Sequence, residues 1–277
     1  MKRLPSQRRS AGYMLTEILL TLALTSIVVA GLLQVMVTHS RVYSDQDLGV
    51  AMQQNLRVGM DNVLDAFRNA GYGVPRSNLA AWVSWAPGFA TNPLVTQGVS
   101  APDTLSFAAC FRGTLARLNT NAATGATALP LTSEIAGSAV ADLFGSGAKS
   151  LIVIGESQWA RVTSVSGSTL TIDTDLAAAD LQGLAKKFPQ GTPVCRVEVW
   201  TVAIRNDSGT GIPGLTIDDN LGGGPVEVAQ AITDLQVDEI TAGKQYRVTL
   251  TARTEKPLSG QASLVTESLR SLVTLKN

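Results

Sequence analysis

Hydrophobic and polar positions follow three different rules along this chain. Residues 18–37 are 20 consecutive positions without a charge, and as a helix they span ~30 Å, the thickness of a bilayer core. Farther on, in "RVYSDQDLGVAMQQNLRVGMDNVLDAFRNAGYG", Leu48, Met52, Leu56, Met60, Val63, Leu64 and Phe67 recur at intervals of three and four. That is the stripe of an amphipathic helix. Gly71, Gly73 and Pro75 end the pattern, because neither residue type extends a helix. The spacing predicts one helix over about residues 15–69, ~80 Å long, apolar all round in its first half and one-sided in its second.

From about Trp82 the period drops toward two. Short runs rich in Val, Thr, Ile and Leu, such as "TLSFAACF", "SLIVIG", "WARVTSV", "STLTIDT", "CRVEVWTVAI", "YRVTLTAR" and "SLVTLKN", alternate with turn residues and predict strands. In Arg196-Val197-Glu198-Val199-Trp200 the alternation predicts one buried and one wet face. The stretch "PVEVAQAITDLQVDEI" reads as a short helix running into a strand, and the Ala/Thr/Gly-rich residues 119–150 as a long loop region. The predicted class is α+β: a long N-terminal helix packed on a C-terminal antiparallel β-sheet domain.

Composition narrows the function classes. With 45% hydrophobic and 16% charged residues the chain is globular, and no second apolar run approaches membrane length. Net charge is zero, so nothing points to nucleic acid as a partner. The charge is unevenly placed, however: Lys2, Arg3, Arg8 and Arg9 precede Gly12, leaving 18 basic against 22 acidic side chains beyond it. A basic flank before an apolar span keeps the N-terminus cytoplasmic and puts the rest across the membrane. Two distant cysteines, Cys110 and Cys195, lack the CxxC spacing of a zinc or redox site. Two readings stand: a disulfide closing a loop of roughly 85 residues, contributing ~4 kcal/mol in the chain-entropy model, or two buried thiols acting as small hydrophobes.

One acid interrupts the apolar run. Glu17 follows Gly12 by five residues, and a charge at the centre of a membrane helix costs ~2.5–3.5 kcal/mol on insertion scales, less near an interface. A secretory signal peptide cleaved after "VVA" and a plain signal anchor both accommodate the segment. A third reading uses every feature of it. "GYMLTE" resembles the processing site of type IV prepilins and type II secretion pseudopilins, where a basic leader is cut after Gly and the new N-terminus is methylated. The resemblance implies cleavage between Gly12 and Tyr13, N-methylation of Tyr13, and Glu17 as the family's hallmark acid. The family's usual Phe, small hydroxyl and aliphatic residue are here Tyr13, Met14 and Thr16. In a stack of such subunits, the new amine of one and Glu17 of a neighbour neutralise each other in a low-dielectric core, a register-setting use of a buried pair.

"QNLRVGMDNVLDAFRNAGYG" also looks like the matching part of PilW-type minor pilins, with Arg68, Asn69, Ala70, Gly71 and Tyr72 on their "R-x-A-G-Y" element. Ile232, Thr233, Asp234, Leu235, Gln236 and Val237 fit a second element, and residues 273–277 the family's last strand. By this resemblance residues 1–12 are a leader, 13–38 a transmembrane and assembly half-helix, 39–70 an amphipathic half-helix, and 71–277 a periplasmic β-rich head. It implies a pilin-like fold and a minor pilin that helps initiate or cap a type IV pilus by subunit packing. Its partners would be prepilin peptidase, other minor pilins, the major pilin and the inner membrane, its destination the pilus at the cell surface. A minor pseudopilin of a type II secretion system shares these features. A pilus-borne adhesin and a membrane-anchored periplasmic enzyme are the readings from other classes.

Catalytic signals are sparse. The only His, His39, lies where the chain leaves the apolar run, which excludes a His-based triad or metal site in the head. "GSGAKS" lacks the Gly-Lys and spacing of a phosphate loop and reads as a turn. Asp218, Asp219 and Asn220 offer hard oxygen ligands of the kind Ca²⁺ takes, but without the spacing and closing Glu of an EF-hand they read first as an Asx/Gly turn. Asp234, Asp238 and Glu239 read as solvated strand edges. No catalytic residue and no cofactor is expected.

Overall fold

The computed structural model describes residues 10–75, 93–98, 101–145, 149–175 and 178–275, with side chains from Leu15 onward. Most of the leader (residues 1–9), the start of the predicted strand region at Trp82, residues 146–148 of "GSGAKS", and the last two residues lie outside them.

Helix α1, Ser10–Asn69, runs 60 residues, ~90 Å at 1.5 Å per residue. Every described side chain from Leu15 to Ser44 is exposed; Asp45 is the first to be half-buried. Beyond it the predicted stripe takes hold: Met52, Leu56, Met60, Val63 and Phe67 are buried, and Leu48 and Leu64 partly so. Arg68 completes the last turn, where its charge complements the helix dipole, and pairs with Asp65 at 2.8 Å. The chain then turns away through Gly71 and Gly73, both at positive φ (78° and 69°), a region costly for residues with a Cβ.

Two antiparallel sheets receive the helix. The first has the order β1 (Leu94–Thr96), β2 (Thr104–Ala109), β9 (Glu198–Asn206), β10 (Pro213–Asp218), β11 (Val226–Gln230). The second is β12 (Ile232–Thr241), β13 (Gln245–Arg253), β14 (Thr266–Thr274). Phe67 sits where they meet, edge-on to Phe107 at 5.1 Å between ring centroids and 5.3 Å from the Tyr246 ring. Each such buried side chain contributes ~1.5–3 kcal/mol of transfer free energy. Asp103, just before β2, ties the sheets by polar means: its buried carboxylate accepts from Gly98 N (2.9 Å) and Val237 N (2.8 Å).

The head is not one sheet domain. Between β2 and β9 the chain builds a closed six-stranded barrel: β3 (Ala116–Leu118), β4 (Ala128–Ser133), β5 (Leu151–Ile154), β6 (Gln158–Ser166), β7 (Thr169–Asp173) and β8 (Pro193–Arg196), in the order β3-β4-β7-β6-β5-β8, with the short helix α2 (Val140–Leu143). β2 and β9 are themselves neighbours, with Ala109 opposite Glu198. The barrel therefore replaces the turn of what would otherwise be a β-hairpin. Closing on itself leaves it no unpaired edge.

Three sequence expectations change. Residues 119–150 are not a long loop: Leu129, Leu131, Val140 and Phe144 are buried in the barrel core, and small residues between them serve its tight turns. Residues 226–230 form strand β11 on the edge of the first sheet, not a helix; pairing with β10 overrides the helix propensity of Glu, Ala and Gln, and Ala231 at φ 58° breaks the run before β12. The 196–200 alternation has no wet face, since Arg196 and Glu198 are as buried as Val197 and Val199, because barrel and sheet meet there.

Gly59 faces the first sheet and β13, where a Cβ would lie 3.4 Å from Ala229, Leu215 and Leu250 side-chain atoms. Gly59→Ala should fit in ordinary contact and gain up to ~1 kcal/mol of helix propensity, whereas Gly59→Leu should cost ~1–3 kcal/mol by overpacking. Equilibrium denaturant unfolding checks both signs.

Candidate functional site

The feature that stands apart is the free half of α1. Among the described residues it is the one helix long and apolar enough to cross a membrane. Leu15, Ile18, Leu19, Leu20, Leu22 and Leu24 head a series of apolar side chains around its whole circumference, all largely exposed. Its hydroxyls bond back into the helix: Thr21 Oγ1 donates to Glu17 O and Ile18 O (both 2.9 Å), Thr25 to Thr21 O (2.7 Å), Ser26 to Ala23 O (2.8 Å) and Thr38 to Gln34 O (2.9 Å). Those bonds remove the polar groups that would be costly in hydrocarbon. Glu17 has no such internal answer. Its carboxylate is exposed, and no basic side chain among the described residues pairs with it. Gly12 and Tyr13 lie within the helical span, so α1 runs through the bond between them.

The head grips the helix where this half ends. Thr254 and Val265 pair at the base of the β13–β14 loop. At its tip Ser259 donates its N–H (3.0 and 3.1 Å) and its hydroxyl (3.2 Å) to the Asp45 carboxylate. Glu267 accepts from Gln53 Nε2 at 3.4 Å. His39, one turn before Tyr43, stays on the free half, ring centroids 6.4 Å apart.

The other predicted residues fall in separate places. Cys110 and Cys195 are joined as a disulfide with Cα atoms 5.8 Å apart. Asp218 ends β10, and with Asp219 and Asn220 it makes an Asx turn: Asp218 Oδ1 accepts from Asn220 N (2.8 Å), Asp219 Oδ1 accepts from Leu221 N (3.0 Å), and the Asn220 amide donates to Val199 O (2.6 Å). Asn220 takes φ 55°. No group of three or more His, Cys, Asp or Glu side chains suited to a metal occurs among the described residues. Asp234 accepts from Gln236 (2.9 Å), and Asp238 faces Arg247 at 3.8 Å, both on the outer face of the second sheet.

Sequence reasoning missed the buried charge cluster at the base of the barrel. Arg196 Nη2 meets Glu198 Oε1 at 2.6 Å, Arg112 Nε reaches the same oxygen at 3.1 Å, and Trp200 Nε1 donates to Glu198 Oε2 at 3.3 Å. Phe111 stacks on Trp200 with centroids 4.1 Å apart. A signal existed in the chain, since Arg196 and Glu198 stand two residues apart in an alternating stretch, a spacing that lets opposite charges meet on one side; in the structure they end β8 and begin β9.

Two groups titrate away from their ordinary values. Backbone and hydroxyl donors from Thr210, with Gly209 N, hold the Asp207 carboxylate low. Burial, then the hydrogen bond to and the charge of Glu239, push Tyr246 up to about 12 from 10.0; its hydroxyl donates to Glu239 Oε1 at 3.1 Å.

No family model matches the chain, and no curated protein and no solved structure matches it either.

The raised Tyr246 value sets a sign for alkaline stability. The fold favours the neutral phenol, so that stabilisation is complete below about pH 10 and is lost as pH climbs through about 12. Ultraviolet titration should show one late tyrosine, absent in Tyr246→Phe, whose unfolding should also lose that part of the alkaline slope.

Proposed function

We propose that the chain is a minor pilin of a bacterial type IV pilus, similar to the PilW type, which helps initiate or cap the fibre by packing against other subunits. One observation carries the reading: among the described residues, half of a 60-residue helix is apolar on every side, stays exposed from Leu15 to Ser44, and keeps a carboxylate near its start that no basic side chain pairs with. A lipid span explains the apolar surface but not the acid. A bundle of like helices explains both, because a neighbour's amine can meet Glu17 where the dielectric is low. Before assembly the span would hold the protein in the inner membrane with the head in the periplasm. Prepilin peptidase would cut between Gly12 and Tyr13, and Tyr13 would be methylated.

The two elements that resemble PilW-type pilins support the reading by their positions. Arg68 to Tyr72 form the exit turn of α1, where Gly71 N donates to Ala108 O of β2 (3.0 Å). Leu235 and Val237 of β12 are the strand positions bonded to Asp103. The first lies at the joint between helix and first sheet, the second at the joint between the two sheets. The minor pseudopilin of a type II secretion system uses the same parts. The pilus-borne adhesin gains from one observation, the inserted barrel, which a subunit acting through its helix alone does not need.

Intact-mass analysis of the membrane-derived protein should show loss of residues 1–12 plus one methyl group; an uncleaved chain rejects the reading. Glu17→Val should leave the membrane-bound amount unchanged while its content in sheared fibres falls at least about tenfold, equivalent to ~1.4 kcal/mol. Undiminished fibre content would remove Glu17 from assembly. Co-isolation with pili or with a secretion complex separates the two filament types.

A further inference from the structure

The chain passes between barrel and sheets twice, outward after Ala109 and back through Val197. Among the described residues, every extensive contact between elements lies either inside the barrel or inside the layer of α1 and the two sheets. The two parts have separate cores, and a third small cluster sits only at the crossing: Leu151, Val153 and Trp159 from the barrel against Ala108 and Val199 from the sheet. The Cys110–Cys195 bond lies in this neck, linking the residue after β2 to β8.

Loop-closure entropy decides what that bond does. Its loop is the barrel itself, 85 residues in separation, for which the chain-entropy model gives ~4 kcal/mol if the ends are otherwise free. They are not free while the sheet is folded, because Ala109 is already paired with Glu198. The ends of the barrel segment are then held together with or without sulfur, and most of the entropic gain is absent. What the bond still restricts, beside the Arg112, Arg196 and Glu198 contacts at the same seam, is rotation of the barrel about its two-strand neck. The exit turn of α1 leans on it directly: a Cβ at Gly73 would lie 3.0 Å from Cys110 Sγ, and Cys110 N donates to Tyr72 O at 2.9 Å. A reduced Cys110 keeps a partner, since Gly73 O is 3.6 Å from its sulfur and a thiol is a weak donor.

We propose that the Cys110–Cys195 disulfide is a redox-operated pin that sets the attitude of the barrel on the helix–sheet layer, and that opening it frees the barrel to pivot while both parts stay folded. Opening is thiol–disulfide exchange with a dithiol. The attacking thiolate displaces one cysteine sulfur, the second thiol closes the reagent's own disulfide, and the protein gains two electrons and two protons as Cys110 and Cys195 thiols. This inference stands on the neck geometry and does not depend on the pilin reading.

Hydrogen exchange by mass spectrometry on the full chain in detergent micelles tests it, oxidised and after dithiothreitol. Reduction should speed exchange at least about tenfold in residues 110–115 and 193–199, where the Cys110, Leu115 and Val197 N–H groups donate to the Tyr72, Val194 and Leu151 carbonyls, with β6, β7, β12 and β13 unchanged. Cys110→Ser/Cys195→Ser, folded without the bond, should match the reduced protein. Unchanged neck protection would overturn the pin. Loss of protection in barrel and sheets together would overturn it too, by making the bond a general staple of stability. If the double variant fails to fold, the reduced wild-type protein, which starts folded, still gives one of these outcomes.

Discussion

The burial of one face of α1 is the constraint on which the rest of this structure depends. Met52, Leu56, Met60, Val63 and Phe67 supply a floor that both sheets share, and two isolated sheets of five and three strands would otherwise each leave an apolar face in water. Gly59 sits on that face, with Ala229, Leu215 and Leu250 side-chain atoms 3.4 Å from where a Cβ would lie. The same helix, continued without a break past Asp45, carries a second apolar surface that its own head cannot cover. One element thus carries two apolar surfaces, one buried against the sheets and one exposed among the described residues.

Polar groups mark the joints between parts. Asp45 receives the β13–β14 loop where the buried half of α1 begins. Asp103 bridges the sheets by accepting two backbone N–H groups. Glu198 gathers Arg196, Arg112 and Trp200 at the base of the barrel. A buried carboxylate is costly unless its oxygens are satisfied, which applies to Asp103 and Glu198, whereas Asp45 is half-buried. They act as registration marks between elements that hydrophobic contact alone would leave free to slide. Glu17 is the exception, an acid without such partners among the described residues, and that contrast motivates a partner outside the head.

The inserted barrel changes the meaning of the head. A hairpin between β2 and β9 would complete the first sheet, and the chain instead spends residues 110–197 on a second closed unit. Its core is its own, and its hold on the helix–sheet layer is a narrow seam. Such an arrangement separates the layer of α1 and the two sheets from the barrel, each with a core of its own.

The sequence by itself determined what depends on near neighbours. The charge-free run, the three-and-four spacing from Leu48 to Phe67 and the Gly71–Gly73 stop are local patterns, and a helix is made of bonds between residues four apart. Most strands were legible for the same reason, as in "YRVTLTAR", whose alternation became the buried Tyr246, Val248, Leu250 and Ala252 of β13. Only the tertiary structure decided which strands pair. Closing β8 onto β3, placing Arg196 and Glu198 in a dry seam, drawing residues 226–230 into a sheet edge and bringing Cys110 to Cys195 all join residues far apart in the chain. Those choices rest on the packing of whole layers, which no window of sequence contains.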